Sequence, residues 1–265
     1  MFVPPIVLGL IGLALVLQPN AFGAKHELIA EQVTKRSEES VPVKVLSFSS
    51  FDANRLGTDL AGSDLVLVNK QRPLNPLNYQ PTNLRKIETS ASLDNSRGLE
   101  LSDQAASALE GLAKGMKAEG AGKLFVNSAF RSFDYQQDLF KSKTKQYGLA
   151  GALIRSAKAG HSEHQTGLAV DVSVPAQGCA IMQCFGDTVG GKWLAANAWR
   201  YGFIIRYEED TTNITGYTYE PWHLRFVGKQ AAKLYTDLGI QTLEEFWGYP
   251  AAEFYLEEIA ESTND

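Results

Sequence analysis

The sequence predicts an α+β fold, in which helices flank a small mixed or antiparallel sheet within a single domain that follows an N-terminal extension. Two observations predict it: helix-type and strand-type segments alternate irregularly, and the strand-type segments cluster in the second half of the chain. The composition is typical of a globular domain, because 44% of the 265 residues are hydrophobic and 21% are charged. This length suffices for one large domain with a complete core.

The N-terminal extension has two parts. Residues 1–23 carry no charged side chain, and their apolar stretch from Ile6 to Leu17 is shorter than the roughly 20 residues that span a bilayer. It suits the apolar core of a secretory signal, and Ala21-Phe22-Gly23 offers small residues for a cleavage site. We expect residues 1–23 to be a signal peptide or a membrane anchor, although no Lys or Arg precedes the apolar stretch; a buried N-terminal helix is the remaining alternative. The polar residues 24–60 are predicted to be a linker, and residues 61–265 the domain.

The first elements of the domain follow from local patterns. Leu65 to Lys70 is a short apolar run that predicts a strand. The proline-rich stretch from Pro73 to Pro81 is predicted to be irregular, because proline removes a hydrogen-bond donor and restricts the residue before it. A helix is predicted after its N-cap Ser102, since apolar residues then recur at helical spacing on one face: Ala105, Leu109, Leu112 and Met116.

The remaining elements alternate between the two types. Strands are predicted at 123–127, 168–174, 203–207 and 222–227. Helices are predicted at 133–147, 149–157, 193–201, 229–238 and 242–247, with Gly148 separating the first two.

Charge and cysteine content exclude some classes of function. The formal net charge of −5 argues against nucleic-acid binding, which requires clustered Lys and Arg. The only cysteines, Cys179 and Cys184, show no CxxC spacing, which makes a cysteine-based zinc site improbable. If the chain is exported, we expect them to form a disulfide that closes a small loop; in the cytosol they would stay free thiols.

The histidines indicate a metal site. Three of the four lie in two short polar segments, 160–171 and 219–223. A catalytic zinc takes three nitrogen or oxygen ligands and leaves a fourth position open, and such a set is available from His164, Asp171 and His223. Asp171 lies inside an apolar strand-type run, where a carboxylate is costly unless it is paired or binds a metal.

Two neighbouring residues complete the candidates. Glu220 precedes His223 by three residues, so both can reach one pocket, and zinc hydrolases use a non-ligand Glu to take a proton from water. His161 competes with His164 as a ligand. Singly, each histidine could instead be structural, and Asp171 could pair with a Lys or Arg.

Three motifs give the chain a family resemblance. Ser162 to Asp171 matches S-x-H-x-x-G-x-A-x-D, Glu220 to His223 matches E-x-W-H, and Ser128 to Ser132 matches S-G/A-Y/F-R-S. With these motifs in the family's order, the chain resembles the VanY-type zinc D-alanyl-D-alanine carboxypeptidases and the related LdcB-type L,D-carboxypeptidases over residues 65–238.

The resemblance implies a cofactor and roles for several residues. Zn²⁺ is the implied cofactor, Glu220 the implied catalytic base, and the implied metal ligands are His164, Asp171 and His223. Arg131 is implied to contact substrate and to act in catalysis by polarising the scissile carbonyl. A guanidinium suits a terminal carboxylate because it binds it with two parallel hydrogen bonds; a surface salt bridge is the alternative role. Weaker candidates for holding polar groups of the peptide are Ser128, Gln136 and Ser162.

We therefore expect an exported zinc metallo-carboxypeptidase, not a serine-type enzyme, that removes the C-terminal D-alanine from peptidoglycan stem peptides. D,D-cleavage is favoured; L,D-cleavage of tetrapeptide stems and endopeptidase activity remain alternatives. A non-catalytic peptidoglycan-binding domain is a further class, but such a domain would not need the base Glu220. We expect an extracytoplasmic location, with anchoring to the membrane through the N-terminus as one possibility, and the sequence leaves the oligomeric state open.

Overall fold

The computed structural model describes residues 57–258. The predicted signal peptide or anchor at 1–23, and all of the predicted linker except its last four residues, lie outside this range. Within the described part, no helix combines the length and hydrophobicity needed to cross a membrane.

A five-stranded mixed sheet forms the centre of the domain. Its strand order is β2-β4-β5-β7-β6, and only β2 and β4 run parallel, which confirms the predicted fold class. A separate antiparallel ribbon joins β1 to β3. The strands are β1 (Leu84–Lys86), β2 (Leu93–Asp94), β3 (Glu100–Ser102), β4 (Leu124–Ser128), β5 (Ala169–Ser173), β6 (Phe203–Ile205) and β7 (His223–Phe226).

Six α-helices accompany the sheet in the described residues: α1 (Asp103–Ala118), α2 (Phe133–Leu153), α3 (Val189–Asn197), α4 (Thr212–Thr215), α5 (Lys229–Asp237) and α6 (Leu243–Trp247). The prediction for α1 is confirmed, because the Ser102 hydroxyl accepts a hydrogen bond from the amide of Ala105 and the predicted apolar face is buried. Its side chains join those of the sheet strands in the larger of two apolar clusters.

Two of the predicted helix boundaries differ from the structure. Gly148, with φ of 72°, interrupts α2 as expected, but the second segment ends at Leu153 and not at residue 157. The predicted helix 193–201 starts earlier, at Val189, because Thr188 caps it. Its last turn is a 3₁₀ helix, Ala198–Tyr201.

The predicted strand from Leu65 to Lys70 is wrong. The run is buried, but its backbone pairs with nearby turns, since the Leu67 amide donates to the Thr58 carbonyl. The Val66 carbonyl accepts from a guanidinium nitrogen of Arg225 at 2.7 Å, where a strand would use a neighbouring backbone. The apolar run therefore reflects burial and not strand pairing, a distinction that periodicity cannot make over so few residues.

The predicted disulfide is confirmed. Cys179 and Cys184 are bonded, with their Cα atoms 5.6 Å apart. The loop that they close carries the exposed side chain of Ile181, whose φ is 55°. A β-branched residue rarely adopts this left-handed conformation, so the bridged loop constrains it.

Candidate active site

Three neighbouring strands place polar side chains in one row. Asp171 in β5 lies directly opposite His223, the first residue of β7. On the other side, Asp171 pairs with Ser128 at the end of β4, after a register shift that follows Val126. Residues directly opposite in antiparallel strands have side chains about 5 Å apart, so the sheet brings together groups that are far apart in sequence.

His164 reaches the same place from a short 3₁₀ helix, Glu163–Thr166, that leads into β5. The turn between them depends on Gly167, whose φ is 71°. A Cβ atom there would lie 2.9 Å from Cδ2 of Leu84 and 3.2 Å from the amide nitrogen of Ser102. The glycine of the first motif is therefore required by both backbone conformation and space.

The buried His164, Asp171 and His223 form a group whose ligand atoms all lie within 4.8 Å of one another. The two carboxylate oxygens of Asp171 face different rings: Oδ1 lies 3.1 Å from Nδ1 of His223, and Oδ2 lies 3.3 Å from Nε2 of His164. Nε2 of His164 is buried and makes no hydrogen bond of acceptable geometry. Two imidazole nitrogens and a carboxylate oxygen are donors that zinc prefers, so these residues fit the metal that the sequence implied.

The second nitrogen of each ring has its own partner. Nδ1 of His164 donates to the carbonyl of Ala129 at 2.7 Å, which leaves Nε2 free to bind a metal. Nε2 of His223 lies 3.3 Å from a carboxylate oxygen of Glu163 and directs Nδ1 toward Asp171. Such outer partners fix the tautomer and the orientation of metal-binding histidines.

The pKa values of the metal-free site keep His164 available as a ligand. Burial and the charge of Arg131 lower the pKa of His164 to about 4, so its ring is neutral near pH 7. Burial raises the pKa of Asp171, but the neighbouring His164 and His223 outweigh it and hold that pKa well below its usual range. Asp171 is therefore ionised, as a ligand carboxylate must be.

His161, the competing candidate ligand, lies elsewhere. Its Nδ1 is 2.9 Å from the carbonyl oxygen of Asn69, and its ring packs edge-on against Tyr255. It is not part of the group of three, so the structure separates the two histidines that the sequence left in competition.

Glu220 adjoins the metal group without belonging to it. A turn joins its carbonyl to the amide of His223 at 3.0 Å, and its own amide donates to the Tyr207 carbonyl. Its Oε2 lies 3.9 Å from Nδ1 of His223. Burial raises the pKa of Glu220, attraction to His223 opposes this, and repulsion from Asp171 adds to it, so that the pKa is about 8 in the metal-free chain.

Arg131 lies on the loop that follows β4. Its amide donates to the carbonyl of His164 at 3.2 Å, which joins the S-A-F-R-S segment to the first histidine motif. Its Nε is buried and has no hydrogen-bond partner in the described part of the chain. Burial lowers the pKa of Arg131, while Asp171 and Glu220 oppose that shift. The guanidinium thus offers a donor to a ligand in the groove.

These residues line one groove of about 550 Å³. Among the described residues, its only carboxylates belong to the metal region: Glu163, Asp171 and Glu220. Four cations line the groove: Arg97, Arg131, Lys143 and Arg155.

The three weaker candidates for substrate contact do not all lie in the groove. Ser128 and Ser162 line the groove, whereas Gln136 does not. The side chain of Gln136 is buried, and its Nε2 donates to the carbonyl of Ala157 at 2.7 Å and to the hydroxyl of Ser156. Gln136 thus holds two residues, Ser156 and Ala157, that themselves line the groove.

Sequence reasoning missed other groove residues. Tyr207 and Tyr217 line the groove, and the Tyr207 ring lies 5.0 Å from the His223 ring between centroids. Trp222 packs against the core and also lines the groove. Glu163 occupies the unspecified position of the first motif. No sequence signal marks it, because its contacts are with side chains far along the chain.

The bridged loop also reaches the groove, through Ile181. Replacing Cys179 and Cys184 together by Ser is expected to lower the free energy of unfolding by about 2 kcal/mol, the loop-entropy value for so short a loop. Thermal unfolding should show a fall in Tm of about 4–8 °C. KM should rise more than kcat falls, because Ile181 lies at the groove and not at the metal group. Dithiothreitol should reproduce both changes in the unmodified protein and leave the variant unaffected; an unchanged Tm would contradict the stabilising role.

Comparison with known proteins places these features in a family. The family model described as VanY, D-alanyl-D-alanine carboxypeptidase, matches residues 98–229. The protein YodJ of Bacillus subtilis (strain 168) is 42% identical over 69% of this chain, and the match spans 66% of YodJ, just under two thirds of its length.

Two solved structures are similar in both sequence and fold. An LdcB LD-carboxypeptidase has a TM-score of 0.63 and 41% identity, covering 72% of this chain and 88% of that one. A mutant of the vancomycin resistance D,D-pentapeptidase VanY, in complex with Zn(II), has a TM-score of 0.58 and 31% identity, covering 69% and 98%. Since such identity over nearly whole relatives accompanies the shared motifs and fold, this chain belongs to the VanY family of D-alanyl-D-alanine carboxypeptidases.

Proposed function

We propose that the protein is a zinc-dependent carboxypeptidase that removes the C-terminal D-alanine from peptidoglycan stem peptides. The observation that carries this proposal is the buried metal group with a separate carboxylate, Glu220, beside it in one groove. The residues that would hold zinc are His164, Asp171 and His223. Bound zinc supplies Lewis-acid polarisation of a carbonyl and brings the pKa of water to about 7.

The remaining chemistry belongs to Glu220 and Arg131. Glu220 takes a proton from water as the water oxygen adds to the carbonyl carbon of the scissile amide. It then gives that proton to the leaving amine as the C–N bond breaks. Arg131 binds the terminal carboxylate of the substrate with its guanidinium, whose Nε is buried and unpaired in the described residues, because a charge-assisted contact fixes the position of the last residue.

The positive charge along the groove supports the proposal that its substrate is a peptide with several carboxylates. Arg97, Lys143 and Arg155 line it beyond the metal region, and none of the three forms an ion pair with a carboxylate of the described chain. Lys143 and Arg155 both lie 5.5 Å from the Tyr147 ring centroid, so they form one positive rim. In a chain of net charge −5, this local excess of cations favours anionic peptides such as stem peptides.

Two bonds of the stem peptide are candidates for cleavage, and we propose the D,D bond. The family description, D-alanyl-D-alanine carboxypeptidase, favours D,D-cleavage, which would shorten a pentapeptide stem. L,D-cleavage of a tetrapeptide is the second candidate, because the LD-carboxypeptidase neighbour has the higher TM-score and identity of the two structures compared.

Purified protein should be incubated with synthetic pentapeptide and tetrapeptide stems, and the products weighed by mass spectrometry. We expect the pentapeptide to lose one alanine, and we expect activity to be lost on chelation and recovered on adding zinc. Shortening of the tetrapeptide alone would favour L,D-cleavage, and no cleavage of either would contradict the proposed function. The Glu220→Gln variant, purified in parallel, controls for contaminating peptidases.

We also propose that the protein acts outside the cytoplasm, as a secreted or membrane-anchored enzyme. The uncharged residues 1–23 and the Cys179–Cys184 disulfide support this location. N-terminal sequencing of the exported protein should begin at Ala24 if a signal peptide is removed and at Met1 if the segment stays as an anchor. Recovery of the whole protein in the cytoplasm would contradict the proposed location.

A further inference from the structure

A group of four buried charges lies behind His223. The side chains of Glu163, Arg206, Arg225 and Glu244 are all fully buried. Arg206 binds both oxygens of Glu244, at 2.7 and 3.0 Å, and its Nε donates to Glu163 at 2.8 Å. The four charges sum to zero, so the group is electrically balanced without the metal site.

The two oxygens of Glu163 have different partners. Oε1 accepts from Nε of Arg206 and from Nη1 of Arg225, both at 2.8 Å. Oε2 is left to face Nε2 of His223 at 3.3 Å. The carboxylate cannot rotate without breaking two charge-assisted bonds, so its second oxygen stays directed at the imidazole.

Arg225 is itself held in place. Its Nη2 donates to the carbonyls of Asp64 and Val66, at 3.0 and 2.7 Å, and its Nε donates to the carbonyl of Phe226. The irregular segment 64–66 therefore supports the site, because the carbonyls of Asp64 and Val66 fix the guanidinium that holds Glu163.

We propose that Glu163 is a positioning residue that holds His223 in the tautomer with hydrogen on Nε2 and with Nδ1 free for the metal. This inference rests on the zinc site of the proposed function. Asp171 competes for the same ring, since its Oδ1 lies 3.1 Å from Nδ1 and would accept a hydrogen there. A ring protonated only at Nδ1 could not bind zinc through that atom. Glu163 therefore biases the ring toward the tautomer that binds.

A merely structural role makes a different prediction. Buried ion pairs often contribute little net stability, but removing one partner is costly wherever it occurs in the group. Glu163→Gln and Glu244→Gln each remove one negative charge from the same four-charge group. Of these two glutamates, Glu163 contacts His223 and Glu244 does not, so Glu244→Gln is the matched control.

The test is the zinc affinity of the full chain, measured by competition with a chromophoric chelator alongside thermal unfolding. Both variants should lose stability, but zinc affinity should fall about 10–100-fold in Glu163→Gln and stay within about threefold of the unmodified protein in Glu244→Gln. The visible spectrum of the Co²⁺-substituted protein should change in Glu163→Gln only. Equal zinc affinities for the two variants would overturn the inference. If the unmodified protein bound no zinc, the proposed function itself would fail, so the two failures are distinguishable.

A second measurement covers the case in which Glu163→Gln does not fold. In the unmodified zinc-loaded protein, two-bond ¹H–¹⁵N correlations of the imidazole rings should show His223 with hydrogen on Nε2 and metal on Nδ1. The Nε2 proton should exchange slowly with solvent, because it is buried against Glu163. The opposite tautomer, or a rapidly exchanging proton, would overturn the inference.

Discussion

Glu220→Gln is expected to lower kcat by about 10²–10⁴-fold while the protein keeps one zinc per chain, the scale of losing a general base. Glutamine preserves the shape of the side chain but cannot take a proton. The Glu220 carboxylate lies 3.9 Å from Nδ1 of His223 and outside the group of three that could hold the metal. Its removal should therefore affect the chemical step more than the metal.

The measurement combines kcat on the preferred stem peptide with zinc content by elemental analysis. Glu208→Gln is a suitable control, because Glu208 is also half-buried, burial raises its pKa to about 7, and it does not line the groove. We expect its kcat to match that of the unmodified protein. Loss of zinc from a folded Glu220→Gln protein would assign Glu220 to the metal shell, and full activity would reject it as the base.

The sequence predicted the centre of this site well because the relevant signals are local. The first motif holds His164, Asp171 and Gly167 within eight consecutive residues, and the second motif holds Glu220 and His223 within four. Because the residues of each motif are so close in sequence, they can be recognised together without knowledge of how the rest of the chain folds. The strand predictions around Asp171 and His223 then sufficed to expect both in one small sheet, although not that they lie directly opposite each other.

What the sequence could not predict depends on contacts between distant residues. Glu163 meets Arg206 and Arg225, which lie 43 and 62 residues away, and no periodicity records such a pairing. Gln136 is only a weak candidate from the sequence, because the direction in which a side chain of the first helical turn points depends on what packs against that turn. The buried run from Leu65 has the composition of a strand, yet the carbonyl of Val66 within it is satisfied by the side chain of Arg225.

Arg131→Ala is expected to lower kcat/KM for a substrate with a free terminal carboxylate by about 10²-fold, the scale of losing hydrogen bonds between charged groups. The same variant should affect a substrate with an amidated C-terminus little, because that substrate has no anion to bind. Arg131 lines the groove and has a buried Nε without a partner in the described residues, so it has a donor available for such a group.

The measurement is kcat/KM for the acid and the amide with both enzymes. Arg97→Ala is the matched control: Arg97 lines the same groove, but it is exposed and one of its nitrogens already donates to the Asn127 carbonyl. We expect Arg97→Ala to change the ratio between acid and amide much less than Arg131→Ala does. The thermal stability of both variants, Arg97→Ala and Arg131→Ala, should be compared with that of the unmodified protein, so that a folding defect is not taken for a binding defect.

The decisive quantity is the coupling between the two changes. If Arg131 and the terminal carboxylate share one interaction, amidation and Arg131→Ala each remove it, and making both changes should cost hardly more than either one. Fully additive losses would mean that Arg131 acts elsewhere, most directly on the negative charge that develops on the carbonyl oxygen during hydrolysis. Equal turnover of acid and amide by the unmodified enzyme would reject carboxylate recognition. Such a result would favour an endopeptidase, since an enzyme that cuts within a chain does not bind a terminal carboxylate.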